Sequence, residues 1–221
     1  MSAGRVLRAG GLYYDGIDDY VGVPGFSAPF PKTVAFYMYP LPKTGFQYVV
    51  GKSYGGAGEF VIQFELSFPQ TLRLYGWDGT STFWIGTSST SFHANRWYHV
   101  AVILANPTTY IYVDGALDRE ISLTRTLTEH PTSRLRLGAR YPDNASPFWG
   151  IIDDVRIYNR ALTADEIRAI YERDALIRDG LVLHLDFSEY EGDIAYDKSG
   201  CGNHATIYGA RWVVKKALYR A

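Results

Sequence analysis

The sequence predicts an all-β protein, an antiparallel β-sandwich with one short helix near the C-terminal third. Short apolar runs recur along the 221 residues, separated by glycine, proline, aspartate and asparagine. Aromatic residues make up 15% of the chain and include 18 tyrosines, and such residues favour pleated sheets. Only residues 163–174 carry the combined start signal and periodicity of a helix.

The predicted strands show two kinds of pattern. Residues 32–39 alternate between two sets of side chains, as expected where a strand's two faces differ. Residues 96–104 are apolar almost throughout, which predicts a strand buried on both faces. Asp114-Gly115 supplies a hairpin turn, because glycine tolerates positive φ. The remaining predicted strands are residues 11–16, 18–24, 46–51, 60–68, 71–77, 109–113, 116–121, 134–138, 150–158, 181–187 and 205–212.

The predicted helix begins with a capping box. The side chains of Thr163 and Glu166 can each accept a hydrogen bond from a backbone N–H that the first turn leaves unpaired. Ile167, Ile170 and Tyr171 then fall on one face, which predicts that this face packs on a sheet. The helix is expected to end near Asp174.

Charge and composition exclude several classes of partner. The net charge is −1, and the pair Lys215-Lys216 is too small a basic cluster to predict nucleic-acid binding. No run approaches the roughly 18 apolar residues that a membrane-spanning helix needs. Residues 1–8 lack an apolar segment, so no secretory signal peptide is expected. The single cysteine, Cys201, excludes a disulfide within the chain.

Four motifs stand in a characteristic order. They are residues 14–21 (YDGIDDYV), 96–101 (RWYHVA), 112–115 (YVDG) and 150–162 (GIIDDVRIYNRAL), with the helix behind the last. Together they resemble the laminin-G-like family of concanavalin A-like jelly rolls. The resemblance covers nearly the whole chain and implies a jelly-roll sandwich.

The order of the elements departs from that family. Domains of the family usually open with strands like those at residues 180–187 and 205–212, but here these come last. We therefore expect a sandwich body at residues 1–175 and displaced N-terminal-type strands at residues 176–221. The displaced strands could complete their own sandwich, complete that of a neighbouring subunit, or belong to a second domain of a tandem array.

The resemblance also implies a calcium site. Calcium prefers several oxygen ligands, and carboxylates and amides in a glycine-rich loop can supply them. The family's motifs place such ligands at Asp153, Asp197 and Asn203, with loop carbonyls completing the shell. The alternative is a turn in which the same side chains bond their own backbone.

No catalytic set is evident. Asp153 and Asp154 are adjacent in a strand, so they are expected to point to opposite faces, unlike the converging carboxylates of a glycosidase. The sequence contains no His-Glu-x-x-His helix motif. We therefore expect a protein that is not an enzyme.

Aromatic side chains in predicted loops are the candidate ligand-binding residues. Tyr54 follows a strand into a glycine-rich loop, Trp77 precedes Asp78-Gly79, and Tyr141 precedes a proline. Exposed rings in sandwich loops can stack on sugars. The alternative is that they pack within the sandwich or at a subunit contact.

Two functions follow from these observations. The first hypothesis is a structural or assembly subunit, such as a virion surface or filament protein, in which the displaced strands link copies and self-association is expected. The alternative is a carbohydrate- or glycoprotein-binding adhesion module. Either is expected to act outside the cell or on a virion surface.

Overall fold

The computed structural model describes residues 10–54, 57–65 and 69–213. It has one helix, α1 (Ala164–Arg173), within these ranges. Its strands are β1 (Leu12–Asp15), β2 (Tyr20–Val23), β3 (Lys32–Pro40), β4 (Gln47–Tyr54), β5 (Ala57–Phe64), β6 (Leu72–Trp77), β7 (Thr82–Thr87), β8 (Tyr98–Leu104), β9 (Thr108–Val113), β10 (Ala116–Ser122), β11 (Arg134–Leu137), β12 (Trp149–Tyr158), β13 (Leu181–Leu185), β14 (Ile194–Ala195), β15 (Ala205–Tyr208) and β16 (Arg211–Trp212).

The strands form two antiparallel sheets, which confirms the predicted sandwich. Sheet A has the order β10-β9-β8-β3-β12-β1-β16, and β13 also pairs with β12. Sheet B has the order β14-β15-β2-β11-β4-β5-β6-β7. Strand β12 is long enough to pair with β1 along its first half and with β13 along its second.

The main core lies between the sheets and follows the alternation of the strands. Val34 and Phe36 of β3 are buried in it, and Leu135 and Leu137 of β11 face them from sheet B. Each strand therefore has an inner apolar face and a second, outward face. A ligand that binds to a sheet surface must contact one of the two outward faces.

Helix α1 covers the outward face of sheet A. It begins with the predicted capping box, in which Thr163 N–H donates to Glu166 Oε2 (2.8 Å) and Glu166 N–H donates to Thr163 Oγ1 (3.2 Å). Ile167 and Ile170 pack in a second apolar cluster with sheet residues that include Ala101 and Tyr158. The described ranges contain no helix that is long and apolar enough to cross a membrane.

The displaced segment closes the sandwich of its own chain in this structure. Strand β13 pairs with β12, β15 pairs with β2, and β16 pairs with β1. Leu183, Phe187 and Ile207 enter the main core from this segment. Exchange of the same strands between neighbouring copies stays a prediction, and residues 214–221 of the predicted segment lie outside the described residues.

Three local features differ from the sequence prediction. Residues 205–212 form two strands in different sheets, because Gly209 turns the chain with a φ of 78° between β15 and β16. Strand β7 was not predicted, since its apolar run, Phe83-Trp84-Ile85, is only three residues long and lies between turn-forming residues. A β-bulge around Asp154, whose φ is 47°, also interrupts the simple alternation expected for Asp153 and Asp154.

Candidate functional site

The outward face of sheet B carries aromatic and arginine side chains on three adjacent strands. In β2, Val21 and Val23 enter the core, so Tyr20 and Gly22 lie on the opposite face. Strands β11 and β15 alternate in the same way, with their aliphatic residues in the core. The outward residues of the three strands are Tyr20, Gly22, Arg134, Arg136, Thr206 and Tyr208.

Five side chains form a continuous series of ring and cation contacts, which we name the Tyr–Arg cluster. Tyr208 stacks on Tyr20 with centroids 4.4 Å apart and planes at 19°. The Arg136 guanidinium carbon lies 3.8 Å from the Tyr20 ring centroid and 4.7 Å from that of Tyr141. Tyr141 contacts Tyr54 at 5.8 Å. The cluster is therefore a row of four rings built around one cation.

Strand register explains why residues so far apart in sequence meet. Tyr208 of β15 lies directly opposite Tyr20 of β2, so the two rings are cross-strand neighbours. On the other side of β2, Gly22 lies opposite Arg136 of β11. Because glycine has no side chain, no side-chain atoms of residue 22 fill the space above the sheet beside the rings and the guanidinium. A Cβ placed on Gly22 would lie 3.8 Å from both the Tyr20 and Tyr208 rings.

The loop after β11 holds Tyr141 by its own hydrogen bonds. Arg140 donates from Nε and Nη2 to the two carboxylate oxygens of Asp143, at 3.2 and 2.5 Å. The hydrogen bonds to Arg140 lower the pKa of the Asp143 carboxyl. The Asn144 N–H closes the turn on the Arg140 carbonyl at 2.9 Å. Tyr141 is thus presented on a fixed loop.

Arg136 is nearly buried, with 8% of its surface exposed. Its Nη1 donates to Asn144 Oδ1 at 2.5 Å and to the Arg140 carbonyl at 3.3 Å. Burial lowers the pKa of the guanidinium, and the neighbouring tyrosines, Tyr20 first, act in the opposite direction. The site therefore keeps a cation in a largely aromatic environment.

A cleft of about 290 Å³ opens beside the cluster. Its walls are Tyr20, Tyr141 and Tyr208, and its lining includes Gly22, Arg134 and Arg136 but no acidic residue. Aromatic walls with a few polar groups are typical of ligand sites. The cleft offers flat apolar surfaces and positive charge.

A larger cleft, of about 430 Å³, has Arg96, Asp114 and Asp118 in its lining. Its charged groups already have partners. Arg96 pairs with Asp114 at 3.0 Å, and Asp118 accepts hydrogen bonds from the backbone of Ser89 and from Thr90. This cleft therefore has fewer groups to offer a ligand than the smaller one.

A second aromatic group lies on β6 and β7 of sheet B. The Arg73 guanidinium is 5.7 Å from the Tyr75 ring centroid and 6.0 Å from that of Trp84, and 59% of Trp84 is exposed. Arg73 is paired with Glu65 at 3.6 Å. Like the Tyr–Arg cluster, this group combines aromatic rings with an arginine, but here Glu65 compensates the charge of Arg73.

The structure brings two of the three predicted binding residues together. Tyr54 and Tyr141 are neighbours in the Tyr–Arg cluster, whereas Trp77 packs on His130 with centroids 4.5 Å apart. Sequence reasoning missed Tyr20, Arg136 and Tyr208. The signal for the first two was present, since the segments Tyr-Val-Gly-Val and Arg-Leu-Arg-Leu each alternate with aliphatic core residues.

Two of the three predicted calcium ligands, Asp197 and Asn203, lie in one hydrogen-bonded turn. Both oxygens of Asp197 accept hydrogen bonds, from the N–H groups of His184, Ser199 and Asn203 and from the Ser199 hydroxyl. Burial raises the pKa of Asp197, but these donors outweigh it and the pKa lies below its usual value.

The other two predicted ligands are Asn203 and Asp153. The Asn203 side chain donates to the Val182 carbonyl at 2.8 Å, and Asp153 is buried in β12. The donors around Asp197 satisfy the carboxylate without a cation and fit the turn interpretation better than a calcium shell. Calcium at Asp153, Asp197 and Asn203 stays a prediction.

An acidic group also lies between β1 and β2. Carboxylate oxygens of Asp15, Asp18 and Asp19 lie within 4.8 Å of one another. Asp15 accepts the Ile17 N–H at 2.8 Å, and Asp19 accepts the Asp15 N–H at 2.7 Å. These are the side-chain-to-backbone bonds of a turn.

Comparison with solved structures shows the same fold in several carbohydrate-binding proteins. A Bacteroides ovatus protein assigned to carbohydrate binding is 18% identical, with a TM-score of 0.72, and the match covers 93% of this chain and 60% of that one. The Ruminococcus gnavus IT-sialidase CBM40 is 17% identical, with a TM-score of 0.56, over 76% of this chain and 100% of that one.

An oligomeric protein shares the fold as well. The native heptameric SAP-like pentraxin of Limulus polyphemus is 12% identical, with a TM-score of 0.66, over 96% of this chain and 98% of that one. No curated protein matches the chain significantly in sequence. The sequence profile described as the concanavalin A-like lectin/glucanases superfamily, in its laminin G branch, matches residues 15–168. The chain therefore belongs to this family.

Proposed function

We propose that this chain is a carbohydrate-binding module and that its ligand packs on the Tyr–Arg cluster. The observation that carries the proposal is the row of Tyr208, Tyr20, Tyr141 and Tyr54 on a sheet face that no described helix covers. Tyrosine rings give a sugar a flat apolar surface at low conformational cost, and their hydroxyl groups can bond to its polar edge.

The structural comparisons support this proposal over a virion or filament role. The Bacteroides ovatus and Ruminococcus gnavus proteins are both described as carbohydrate-binding, and one structure of the latter holds α2,3-sialyllactose. At identities below 20% these likenesses concern the fold, so the ligand must be argued from the cluster itself. A glycan ligand accords with the expected location outside the cell or on a particle surface.

A glycan microarray tests the proposal with two matched tyrosines. Tyr208 in the cluster and Tyr196 in the Asp197 loop have similar exposure, 48% and 51%. We expect the wild-type protein to bind a subset of glycans, Tyr208→Ala to weaken binding about tenfold, and Tyr196→Ala to leave it unchanged. Loss of binding in Tyr196→Ala alone, or no binding by the wild type, would contradict the proposal.

Assembly through the displaced strands is a second candidate. Its support is the separation of β15 and β16 from the strands they pair with, β2 and β1, by most of the chain. Strands contributed from a distant segment can also be contributed by another copy. Sedimentation at rising concentration tests this, with oligomers expected for strand exchange. A monomer at all concentrations would contradict it and leave the glycan proposal intact.

A further inference from the structure

Arg136 differs from the other arginines in the described part of the chain. It is buried and has no carboxylate within ion-pair distance, whereas the others are either paired with an acid or exposed. Burying an uncompensated charge is unfavourable, so such a residue suggests a role other than stability.

The donors of Arg136 show where a partner would bind. Both of its hydrogen bonds use Nη1, while Nε and Nη2 make none to the described residues. Nε and Nη2 point to one side of the guanidinium and form a two-pronged edge that matches the two oxygens of a carboxylate.

The chain itself shows what this edge binds. Arg156 donates from Nε and Nη2 to the two oxygens of Asp154, at 2.8 Å each. Arg140 donates through the same two atoms to Asp143, at 3.2 and 2.5 Å. In both cases the partner is a carboxylate held by two parallel bonds.

The surroundings of Arg136 favour an anion from outside the chain. The cleft that it lines contains a second arginine, Arg134, and no aspartate or glutamate. The guanidinium already lies against the rings of Tyr20 and Tyr141, at 3.8 and 4.7 Å from their centroids. Those contacts hold the side chain in place, so little freedom is lost when its edge binds a ligand.

We propose that the cleft selects acidic glycans, with the carboxylate of a uronic or other acidic sugar bound by Nε and Nη2 of Arg136. The sugar rings then pack on the tyrosines of the Tyr–Arg cluster. This inference rests on the proposed glycan binding and narrows it to one class of ligand.

Matched probe pairs test the inference. Oligogalacturonate is compared by calorimetry with its fully methyl-esterified form, and α2,3-sialyllactose is compared with lactose. A sulfated galactan oligosaccharide without carboxyl groups separates carboxylate from sulfate recognition. Because bonds to charged groups are strong, we expect at least one carboxylated probe to bind about tenfold to a hundredfold more tightly than its neutral partner.

Variants assign the selectivity to Arg136. Arg136→Gln should bind the acidic and neutral probes of a pair equally weakly, and Arg136→Lys should lose about tenfold because it keeps the charge but not the two-pronged edge. Arg178→Gln removes the same charge from an exposed site at the opposite sheet and should bind like the wild type. Melting curves verify that each variant is folded.

The outcomes separate the two proposals. Preference of the wild type for neutral or sulfated probes, or an acidic preference that survives in Arg136→Gln, would overturn the inference while leaving glycan binding in place. Wild-type affinity in Arg136→Lys would overturn the bidentate contact. Absence of binding to any glycan on the microarray would remove the proposed function itself.

Discussion

The two outward faces of the sandwich bury an arginine in opposite ways. On sheet A, Arg156 is 3% exposed and pairs with Asp154 and Asp174 under the end of helix α1. On sheet B, Arg136 is 8% exposed and contacts tyrosine rings, an amide and a carbonyl. No described helix covers this second face.

We infer from this difference that Arg156 stabilises the fold, whereas Arg136 is available for binding. The Arg156 network joins β12, β13 and the helix end, since His184 also contacts Asp154 at 2.9 Å. Removing Asp154 would leave the buried Arg156 with only the partly exposed Asp174 as a carboxylate partner among the described residues. Arg136 is already uncompensated, so its removal should cost little stability. Residues that serve function commonly do so at the expense of stability.

The largest expected effect comes from breaking the Arg156 network. Asp154→Asn keeps a residue that tolerates the positive φ at this position but removes the buried carboxylate of the network, leaving Arg156 with the partly exposed Asp174. We expect a loss of about 3–5 kcal/mol in the free energy of unfolding, measured in urea. Arg136→Gln should change it by less than about 1 kcal/mol. A larger loss for Arg136→Gln than for Asp154→Asn would reverse the comparison.

The helix contact should have the next largest effect. Ile170 is buried between α1 and sheet A, so Ile170→Ala should reduce stability by about 2–4 kcal/mol. Tyr208 is half exposed on the uncovered face, and Tyr208→Ala should cost less than about 1 kcal/mol. Stability is measured by thermal and urea unfolding. Equal losses for Ile170→Ala and Tyr208→Ala would show that the uncovered face also supports the fold.

A smaller, pH-dependent effect should come from Glu166. Its hydrogen bond with Arg160, followed by the Thr163 N–H, lowers its pKa from 4.5 to about 2. A lowered pKa in the folded state gives stability that is present above pH 4.5 and lost as the pH falls towards 2. The melting temperature of Glu166→Gln should therefore fall less than that of the wild type over this range. The same decrease in melting temperature for both proteins would contradict the assignment of this pH dependence to Glu166.

The smallest effect should follow removal of divalent cations. The carboxylate of Asp197 is satisfied by protein donors, so we expect a chelator to leave the melting temperature unchanged. A clear decrease that added calcium reverses would instead support the calcium site at Asp153, Asp197 and Asn203.

Much of the fold was predictable, because the alternation of core residues is local. Residues 32–39 and 134–138 gave β3 and β11, and the Thr163–Glu166 capping box gave α1. The break at Gly209 was not predictable, because a glycine that turns the chain and a glycine tolerated within one strand look the same in the sequence.

The candidate site was predictable only in part. Tyr54 and Tyr141 stood out as aromatic residues in loops, and Trp77 did so equally although it packs on His130. The contact of Tyr20 with Tyr208 depends on the pairing of β2 with a strand near the other end of the chain. Sequence alternation identifies the outward residues of each strand but does not order the strands.

Mapping the bound glycan by NMR tests the central claim most directly. The ¹⁵N-labelled protein is titrated with the glycan that gives the strongest microarray signal, and the amide and arginine Nε resonances are followed. Binding at the Tyr–Arg cluster predicts that shifts concentrate at residues 20–22, 134–141 and 206–208 and at the Arg136 Nε, with the Arg156 Nε unmoved. Shifts concentrated at residues 197–203, or on the helix side of sheet A, would contradict it.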